Sequence, residues 1–272
     1  MASNASRRAV MPPGTETFLD VRSLTADHAA LAALLRPGMT VLDVGCGTGA
    51  ITRGIAEAVS PAGAVRGVDI NADLIAKAKA AAGGHPNLRF EVADIREAPW
   101  EATFDIVTSA RVLQWLADPA PVLAAMVRAA RPGGTIAVLD YDHTRATWDP
   151  PMPPTVQRFY QAFLDWRADA GMDNAIAAHL TGMFEQAGLI SVSAVDRHEV
   201  TTVADADYQR RIALWPGVIR TRGHQVVADG WLTEADRALA EADVWRWIEE
   251  SSPAQSLFLR SVLGTKPKIN TH

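Results

Sequence analysis

The chain has 272 residues, a hydrophobic content of 48% and a formal net charge of -5 at pH 7. This length allows one domain with an elaboration, and the apolar content is enough for a sizeable core. The acidic balance argues against a nucleic-acid surface, which usually carries a basic patch. No apolar run approaches the length of a membrane span, and residues 1–8 lack the apolar region of a secretory signal. The single cysteine rules out an intrachain disulfide and favours a reducing cytoplasm.

The first residues of the chain carry little periodic pattern. We expect the segment up to about Gly14 to be disordered or loosely attached. Thr25 is a candidate cap for a first helix, whose apolar face is formed by Leu31, Leu34 and Leu35. This helix should end before Pro37.

The most informative segment is VLDVGCGTG at residues 41–49. Residues 41–44 predict a buried strand, and the alternate glycines predict a tight turn at which the backbone approaches a ligand closely. These glycines are Gly45, Gly47 and Gly49. A helical pattern begins at Ile51, so the helix N-terminus points at the ligand. The segment also fits a dinucleotide fingerprint, but the Asp43 carboxylate would repel a pyrophosphate and would suit an ammonium or sulfonium group, which points to S-adenosylmethionine.

Four further segments follow in order, each containing or ending a predicted strand. They are VDIN at residues 68–71, FEVADI at 90–95, FDIVTS at 104–109 and RPGGTIAVL at 131–139. With this ordered set the chain resembles the class I (Rossmann-like) S-adenosylmethionine-dependent methyltransferases, closely over residues 31–141 and more loosely to the end. The resemblance implies S-adenosylmethionine as the cofactor.

The same resemblance implies which residues bind the cofactor. Asp69, about 20 residues past the glycines, would accept hydrogen bonds from the ribose hydroxyls. Asp94 would accept from the adenine amino group, while the backbone of Ala93 or Ile95 would donate to the ring. Asp43 would face the charged end of the ligand. The remaining cofactor positions are Gly45, Gly47, Gly49, Ile70, Ala110 and Arg111.

Methyl transfer from a sulfonium depends mainly on alignment and on the exclusion of water. A general base is needed only if the nucleophile carries a proton that must leave early. Candidates lie just past the predicted fifth strand, and His143 is the best of them because its unperturbed pKa is near neutrality. A surface or capping role for His143 is the alternative. Asp140, Asp142 and His143 are interpreted as polar turn residues rather than metal ligands, so no metal site is predicted.

A different pattern begins after the fifth strand. The proline-rich residues 148–154 are followed by a helical pattern in which Phe159, Tyr160 and Phe163 favour a core position. Another helix is predicted over residues 175–187. Six of the eight tryptophans lie in this later part of the chain, and they favour either an apolar acceptor pocket or the packing of extra helices.

The predicted fold is α/β, a Rossmann-like doubly wound sheet, mostly parallel with an antiparallel last strand, plus a helical lid or insertion. Residues 190–200 and 256–263 resemble the family's sixth and seventh strands, an antiparallel pair at the sheet edge. About 50 residues separate them, far more than a hairpin needs, and they include a helix predicted over residues 234–249. The expected parts are an N-terminal arm at 1–23, the cofactor-binding core at 24–147, a lid helix at 148–172, core again at 173–203, a helical lid insertion at 204–251, and the last strand and tail at 252–272.

The sequence therefore predicts a cytoplasmic, metal-independent methyltransferase acting at oxygen, nitrogen or carbon of a small organic molecule. Neither a nucleic-acid partner nor a membrane span is expected, and no oligomeric state is predicted. Residues 112–119 and the insertion look similar to the ubiquinone/menaquinone-type and natural-product subgroups. The alternatives are an S-adenosylmethionine-binding enzyme that catalyses cyclisation or decarboxylation, a non-catalytic binding module, and a nicotinamide oxidoreductase, which Asp43 disfavours. An intact cofactor set with an apolar lid favours an enzyme.

Overall fold

The structure is a computed structural model that describes residues 4–15 and 20–268; the rest of the predicted arm and tail lies outside the described residues. The strands in this part of the chain are β1 Thr40–Val44, β2 Ala64–Asp69, β3 Leu88–Val92, β4 Phe104–Ala110, β5 Ala130–Asp149, β6 Ile190–Thr201 and β7 Ala254–Thr265. They form one sheet in the order β3-β2-β1-β4-β5-β7-β6. The first five are parallel, and β7 is antiparallel to both β5 and β6. The predicted fold class is confirmed.

The helices of the described residues lie between these strands and in the late insertion. They are α1 Asn4–Ala9, α2 Leu24–Asp27, α3 Ala29–Ala32, α4 Ala50–Val59, α5 Ala72–Ala81, α6 Ala120–Ala129, α7 Pro154–Asp169, α8 Ile176–Gln186, α9 Tyr208–Ile212, α10 Leu214–Thr221, α11 Gly223–Ala228 and α12 Glu234–Ser251. A short 3-10 helix, Leu113–Trp115, follows β4. No helix among them combines the length and the apolar character needed to cross a bilayer.

Both faces of the parallel part of the sheet are covered, whereas the edge strand β6 is largely exposed. On one face, α4 buries Ile55, Ala56 and Val59 completely in a cluster that includes Val41 of β1. On the other face, residues of α6 and α8 share a second cluster with β4 and β5. Because both faces are apolar, the strands read as nearly continuous hydrophobic runs, which made them predictable.

Strand β5 is longer than the sequence predicted. It pairs with β7 as far as Asp149, which lies opposite Ala254, and the register shifts between Asp142 and Thr147. Residues 140–143, expected just past the strand and interpreted as a polar turn, therefore lie within β5. The extension of β5 has a nonlocal cause, since the hydrogen bonds that extend it come from a strand more than 100 residues later in the chain.

The two predicted lid segments pack against each other. Helices α7 and α9 to α12, which we call the helical layer, share one apolar cluster that includes Phe163, Trp166 and Trp215. Phe159 and Phe163 are 1% and 2% exposed, as expected of core residues. Trp245 and Trp231 remain 37% and 36% exposed, so the tryptophans do not share one role. The boundaries drawn for the lid stay a prediction.

The amino-terminal residues differ from expectation. In α1, Arg8 is 5% exposed and its guanidinium contacts Asp229 at 2.8 Å, Asp169 at 2.9 Å and the carbonyl oxygen of Trp166. Residues 4–9 are thus bound to the helical layer rather than loosely attached. These partners come from distant parts of the chain, so a local pattern could not reveal them.

The first core helix was also predicted wrongly. Ser23, rather than Thr25, caps α2, because its hydroxyl accepts a hydrogen bond from the amide of Ala26 at 3.2 Å. His28 then adopts a non-helical conformation, and α3 begins after it. The single predicted helix is therefore two short ones.

Candidate cofactor and acceptor site

The glycine turn after β1 needs residues without a side chain. Gly45, Gly47 and Gly49 have φ angles of 74°, 55° and 75°, in the left-handed region. A Cβ atom on Gly45 would also clash with Val112. The amide of Gly45 donates to the carbonyl oxygen of Val68 at 2.7 Å, which fixes the turn against the end of β2. The tight turn predicted from the sequence is present.

Asp43 lies buried directly below this turn. Its side chain is 5% exposed, and its carboxylate accepts one hydrogen bond from the hydroxyl of Thr52 at 2.7 Å. Burial raises the pKa of Asp43 to about 6, against the hydrogen bond from Thr52, and the nearby Asp69 adds to the rise. A cation bound at the turn would offset the cost of ionising this carboxyl group.

Asp69 connects the end of β2 to the glycine turn. One carboxylate oxygen accepts from the amide of Gly47 at 3.0 Å and the other from the amide of Asn71 at 2.9 Å. The structure thus brings Asp43, the glycines and Asp69 together, as predicted. Ile70 beside them is 73% exposed, and the hydroxyl of Thr48 is buried without a partner among the described residues. An exposed apolar side chain and an unpaired buried hydroxyl next to the turn both fit a ligand with apolar and polar parts.

The segment after β3 meets the prediction only in part. Asp94 lies in the loop beyond the strand, where the Nε of Arg96 donates to it at 2.9 Å, and this hydrogen bond lowers its pKa. The amide of Ala93 donates to the carbonyl oxygen of Asp69 at 3.1 Å. The amide of Ala93 is therefore already used, and Ile95 remains as the predicted backbone donor to the adenine ring. The side chain of Ile95 is 4% exposed.

Arg111 follows β4 in a strained conformation, with a φ angle of 62°. Its side chain is buried and binds the carboxylate of Glu199 in β6, while its Nε donates to the hydroxyl of Tyr141 at 3.1 Å. Burial opposes the charge, but Glu199, Tyr141 and Asp27 raise the pKa of Arg111 above its usual value. The side chain therefore joins β4, β5 and β6, and the predicted contact of Ala110 and Arg111 with a cofactor would have to come from their backbone.

His143 lies in the irregular part of β5 and is partly buried. Its Nε2 is 2.7 Å from the Oε1 of Gln114, and the Nε2 of Gln114 donates to the carbonyl oxygen of Arg111 at 3.2 Å. Because this second bond orients the amide, the Nε2 of His143 carries the hydrogen. Burial, and then Arg167, lower the pKa of His143 well below 6.5, so the ring is neutral at pH 7.

The two acids near His143 accept hydrogen bonds from backbone amides. Asp140 is fully buried and accepts from the amides of Gln114 at 3.2 Å and Tyr141 at 2.9 Å. Burial raises the pKa of Asp140 to about 6. Asp142 accepts from the amide of Thr144 at 3.0 Å. Across residues 4–15 and 20–268 no three histidine, cysteine or acidic side chains are placed to hold a metal ion.

Comparison with known proteins decides the family. Residues 35–188 match the methyltransferase domain family, more than half of the chain. The chain belongs to this family. The chain spans a third to a half of the length of several relatives it matches.

Two relatives and one solved structure illustrate the likeness of this methyltransferase domain. A trans-aconitate 2-methyltransferase of Deinococcus radiodurans is 39% identical over 48% of this chain and 50% of its own. A demethylmenaquinone methyltransferase of Lysinibacillus sphaericus is 29% identical over 63% of this chain and 77% of its own. Phosphoethanolamine N-methyltransferase 2 of Haemonchus contortus, solved with phosphomonomethylethanolamine and S-adenosylhomocysteine, superposes with a TM-score of 0.55 at 16% identity, over 95% of this chain and 54% of that one. This last likeness shows the fold.

Three residues that sequence reasoning left without a role border this site. Glu199 and Arg167 contact Arg111 and Gln114, respectively, from elements far along the chain. His28 is 2% exposed, and its Nε2 lies 3.1 Å from the hydroxyl of Thr108. No local motif marks these three positions, because their partners come from other elements.

The neutral state of His28 predicts a loss of stability in acid. Burial, and then Arg111, lower its folded pKa to about 3, whereas the unfolded chain titrates near 6.5. Below pH 6.5 the unfolded chain therefore binds a proton that the folded protein refuses. Between pH 6.5 and 4.5 this costs about 2 kcal/mol. Urea unfolding at both pH values should show a smaller drop in the free energy of unfolding for His28→Gln than for the parent, by about this amount. Equal drops in the two proteins would contradict a buried neutral His28.

Two open clefts lie elsewhere on the surface. One, of about 610 Å³, lies between residues 12–14 and the helices α10 and α11. The other, of about 330 Å³, lies at the amino ends of β1 and β2. Ligands of parallel sheets bind at the carboxyl ends of the strands. Neither cleft is therefore assigned to the cofactor.

Proposed function

We propose that this protein is an S-adenosylmethionine-dependent methyltransferase that methylates oxygen, nitrogen or carbon of a small organic molecule. The family supports this activity, and the observation that carries it is Asp43, a buried carboxyl group with a raised pKa beside the glycine turn. A pyrophosphate would raise the cost of ionising Asp43 further, whereas a cationic ligand would remove it.

The residues around the turn fit this cofactor. When bound, S-adenosylmethionine supplies a methyl group activated by a sulfonium. Asp43 would face its charged end and Asp69 its ribose. Asp94 and Ile95 would hold the adenine amino group and ring, with Ile70 offering apolar surface. The buried hydroxyl of Thr48 needs a partner that this ligand can provide.

We propose two roles for the chain in the transfer. The helical layer excludes water from the carboxyl ends of β4 and β5. His143 accepts the proton of an acceptor that carries one, and its Nδ1 is the basic nitrogen because Nε2 donates to Gln114. The ring is neutral at pH 7, as a base must be, and its lowered pKa limits this role to acceptors whose proton is lost easily.

Small molecules are the proposed acceptors because relatives are named for trans-aconitate and demethylmenaquinone. A likeness to the [4+2]-cyclase SpnF, at 20% identity, concerns the fold and gives no support to cyclisation. The net charge of -5 disfavours a nucleic-acid partner. The cytoplasmic location stays a prediction.

The test is incubation of the purified protein with methyl-labelled S-adenosylmethionine and a cell extract. We expect label in a small molecule, together with one equivalent of S-adenosylhomocysteine, and much less of both with Asp43→Asn. Tight binding of NAD, or a protein that binds S-adenosylmethionine and forms another product without methyl transfer, would overturn the proposal.

The helical layer is expected to respond to ligands. If residues 148–172 and 204–251 close over the acceptor, their amides should gain protection from hydrogen exchange with S-adenosylhomocysteine and gain more when the labelled acceptor is added. Amides of β1 serve as the internal control, because they lie in the core of the sheet. Full protection of both segments in the free protein would identify them as a rigid part of the core.

A further inference from the structure

Two arginines in the helical layer are buried without a carboxylate partner among the described residues. Arg167 is 0% exposed and Arg222 is 3% exposed. Arg167 donates at 2.8 Å to the side-chain oxygen of Asn174 and at 2.8 Å to the carbonyl oxygen of Gln114, and Arg222 donates only to neutral oxygens. By contrast, the buried Arg237 of α12 is paired with two glutamates. Burial lowers the pKa of Arg167, and Asp140 and Asp173 raise it from beyond ion-pair distance. No carboxylate among the described residues binds either guanidinium group directly, and a charge buried in this way is costly, so a bound anion would stabilise the arrangement.

The electrostatics agree with this need. Burial lowers the pKa of Arg167 to about 10, and burial together with Arg167 lowers the pKa of Arg222 to about 9. Both guanidinium groups are still charged at pH 7. They lie 4.5 Å and 3.8 Å from the ring centroid of Trp115, which offsets part of their burial.

Two hydrogen-bond donors in the same region lack a partner. The Nη1 of Arg167 and the Nε1 of Trp215 are buried and make no hydrogen bond to the described residues. Both side chains contact Phe163, since the Arg167 Cζ lies 5.5 Å and the Trp215 ring 5.7 Å from its ring centroid. Because both groups are donors, only an acceptor atom can satisfy them.

This donor pair lies beside the proposed reaction centre. The ring of His143 is 6.2 Å from the ring of Phe163 and is stacked on Tyr141 at 5.3 Å. The hydroxyl of Tyr160 donates at 2.5 Å to the carbonyl oxygen of His143, and its ring contacts Trp215 at 4.7 Å. The aromatic rings and the unpaired donors therefore lie around Phe163, next to His143 of β5.

We propose that the acceptor of this methyltransferase is a carboxylate with an apolar body, bound by Arg167 and Trp215 against the rings of Phe163 and Tyr160. The guanidinium of Arg167 matches the planar carboxylate, and the neighbouring rings match the apolar body. Naming this ligand the acceptor rests on the proposed function. The binding site itself does not, because the unpaired donors are present whatever the reaction.

The test uses matched acids and amides. Benzoate, trans-cinnamate and hexanoate are each titrated beside their primary amides into the protein saturated with S-adenosylhomocysteine, by calorimetry. At least one acid should bind about 10- to 100-fold more tightly than its amide, because the amide lacks the charge. Arg167→Met should abolish this preference. Trp215→Phe, which keeps an aromatic ring and removes only the donor, should weaken the acid several-fold, and Arg237→Met should leave it unchanged.

Several outcomes would overturn the proposal. These are equal binding of acids and amides, no binding of any acid to the parent protein, or an acid preference that survives in both Arg167→Met and Trp215→Phe. If Arg167→Met does not fold, Trp215→Phe decides. The affinity for S-adenosylhomocysteine is measured in the same proteins. If the parent protein does not bind S-adenosylhomocysteine, the proposed function is wrong. If it binds S-adenosylhomocysteine but shows no preference for acids, only the carboxylate site is wrong.

Discussion

Replacing Asp43 by alanine, or by the isosteric asparagine, is expected to weaken the binding of S-adenosylmethionine about 30-fold, by about 2 kcal/mol, through the loss of a charge-assisted interaction. The carboxyl group of Asp43 is 5% exposed and lies at the glycine turn, so water screens its charge little. The parent protein should also bind the cofactor more weakly as the pH falls below 6. The pKa of Asp43 in the folded protein is about 6, and the protonated carboxyl group carries no charge that could attract the cofactor.

Asp43→Asn should also stabilise the ligand-free protein at neutral pH. The unfolded carboxyl group titrates near 3.8 and the folded one near 6, so between these values the folded protein keeps a proton that the unfolded chain has released. The stability that comes from the protonated group is thus present below pH 3.8 and is lost as the pH rises through 6. The total loss is about 3 kcal/mol. The Asp43→Asn variant has no such loss. Its free energy of unfolding should therefore exceed that of the parent at pH 7 and equal it near pH 4.

Calorimetry with S-adenosylmethionine at pH 7.5 and 5, and urea unfolding at pH 7 and 4, measure both effects. Asp105→Asn is the matched control, because its carboxylate accepts from the amide of Thr40 at 2.6 Å at the opposite end of the sheet. That control should leave the cofactor affinity unchanged. An Asp43 variant with the parent's affinity, or tight binding of NAD by the parent, would contradict the assignment.

The parts of the fold that the sequence predicted depend on local signals. The apolar run of residues 41–44, the glycines and the acid of Asp69 each define a strand end within a few residues. Once the strands are parallel and β1 lies beside β2, their carboxyl ends must meet, so the proximity of Asp43, Gly47 and Asp69 follows from the topology. This is why the cofactor half of the site could be predicted.

The acceptor half depends on contacts between distant elements. His143 meets Gln114 from the 3-10 helix, Arg167 of α7 contacts the same glutamine, and Arg111 meets Glu199 from β6. Polar residues at 140–143 resemble a turn, yet they continue β5 because β7 supplies the hydrogen bonds. Such pairings leave no periodicity in the sequence, since each partner is specified only after the chain has folded.

Asp69→Ala is expected to weaken S-adenosylmethionine and S-adenosylhomocysteine alike, by about 10- to 100-fold, because the two ligands share the ribose that Asp69 would bind. The structure adds a second reason for the loss, since Asp69 also accepts from the amide of Gly47 and so holds the glycine turn in place. Asp69→Asn separates the two effects, because it keeps an acceptor for the turn but removes the charge; its loss should be smaller. Asp73→Ala, at an exposed acid in the first turn of α5, is the control and should bind both ligands as the parent does. Calorimetry with both ligands on all three variants makes the test. A variant of Asp69 that discriminates strongly between the sulfonium and the thioether would show that this carboxylate faces the charged end of the cofactor rather than its ribose.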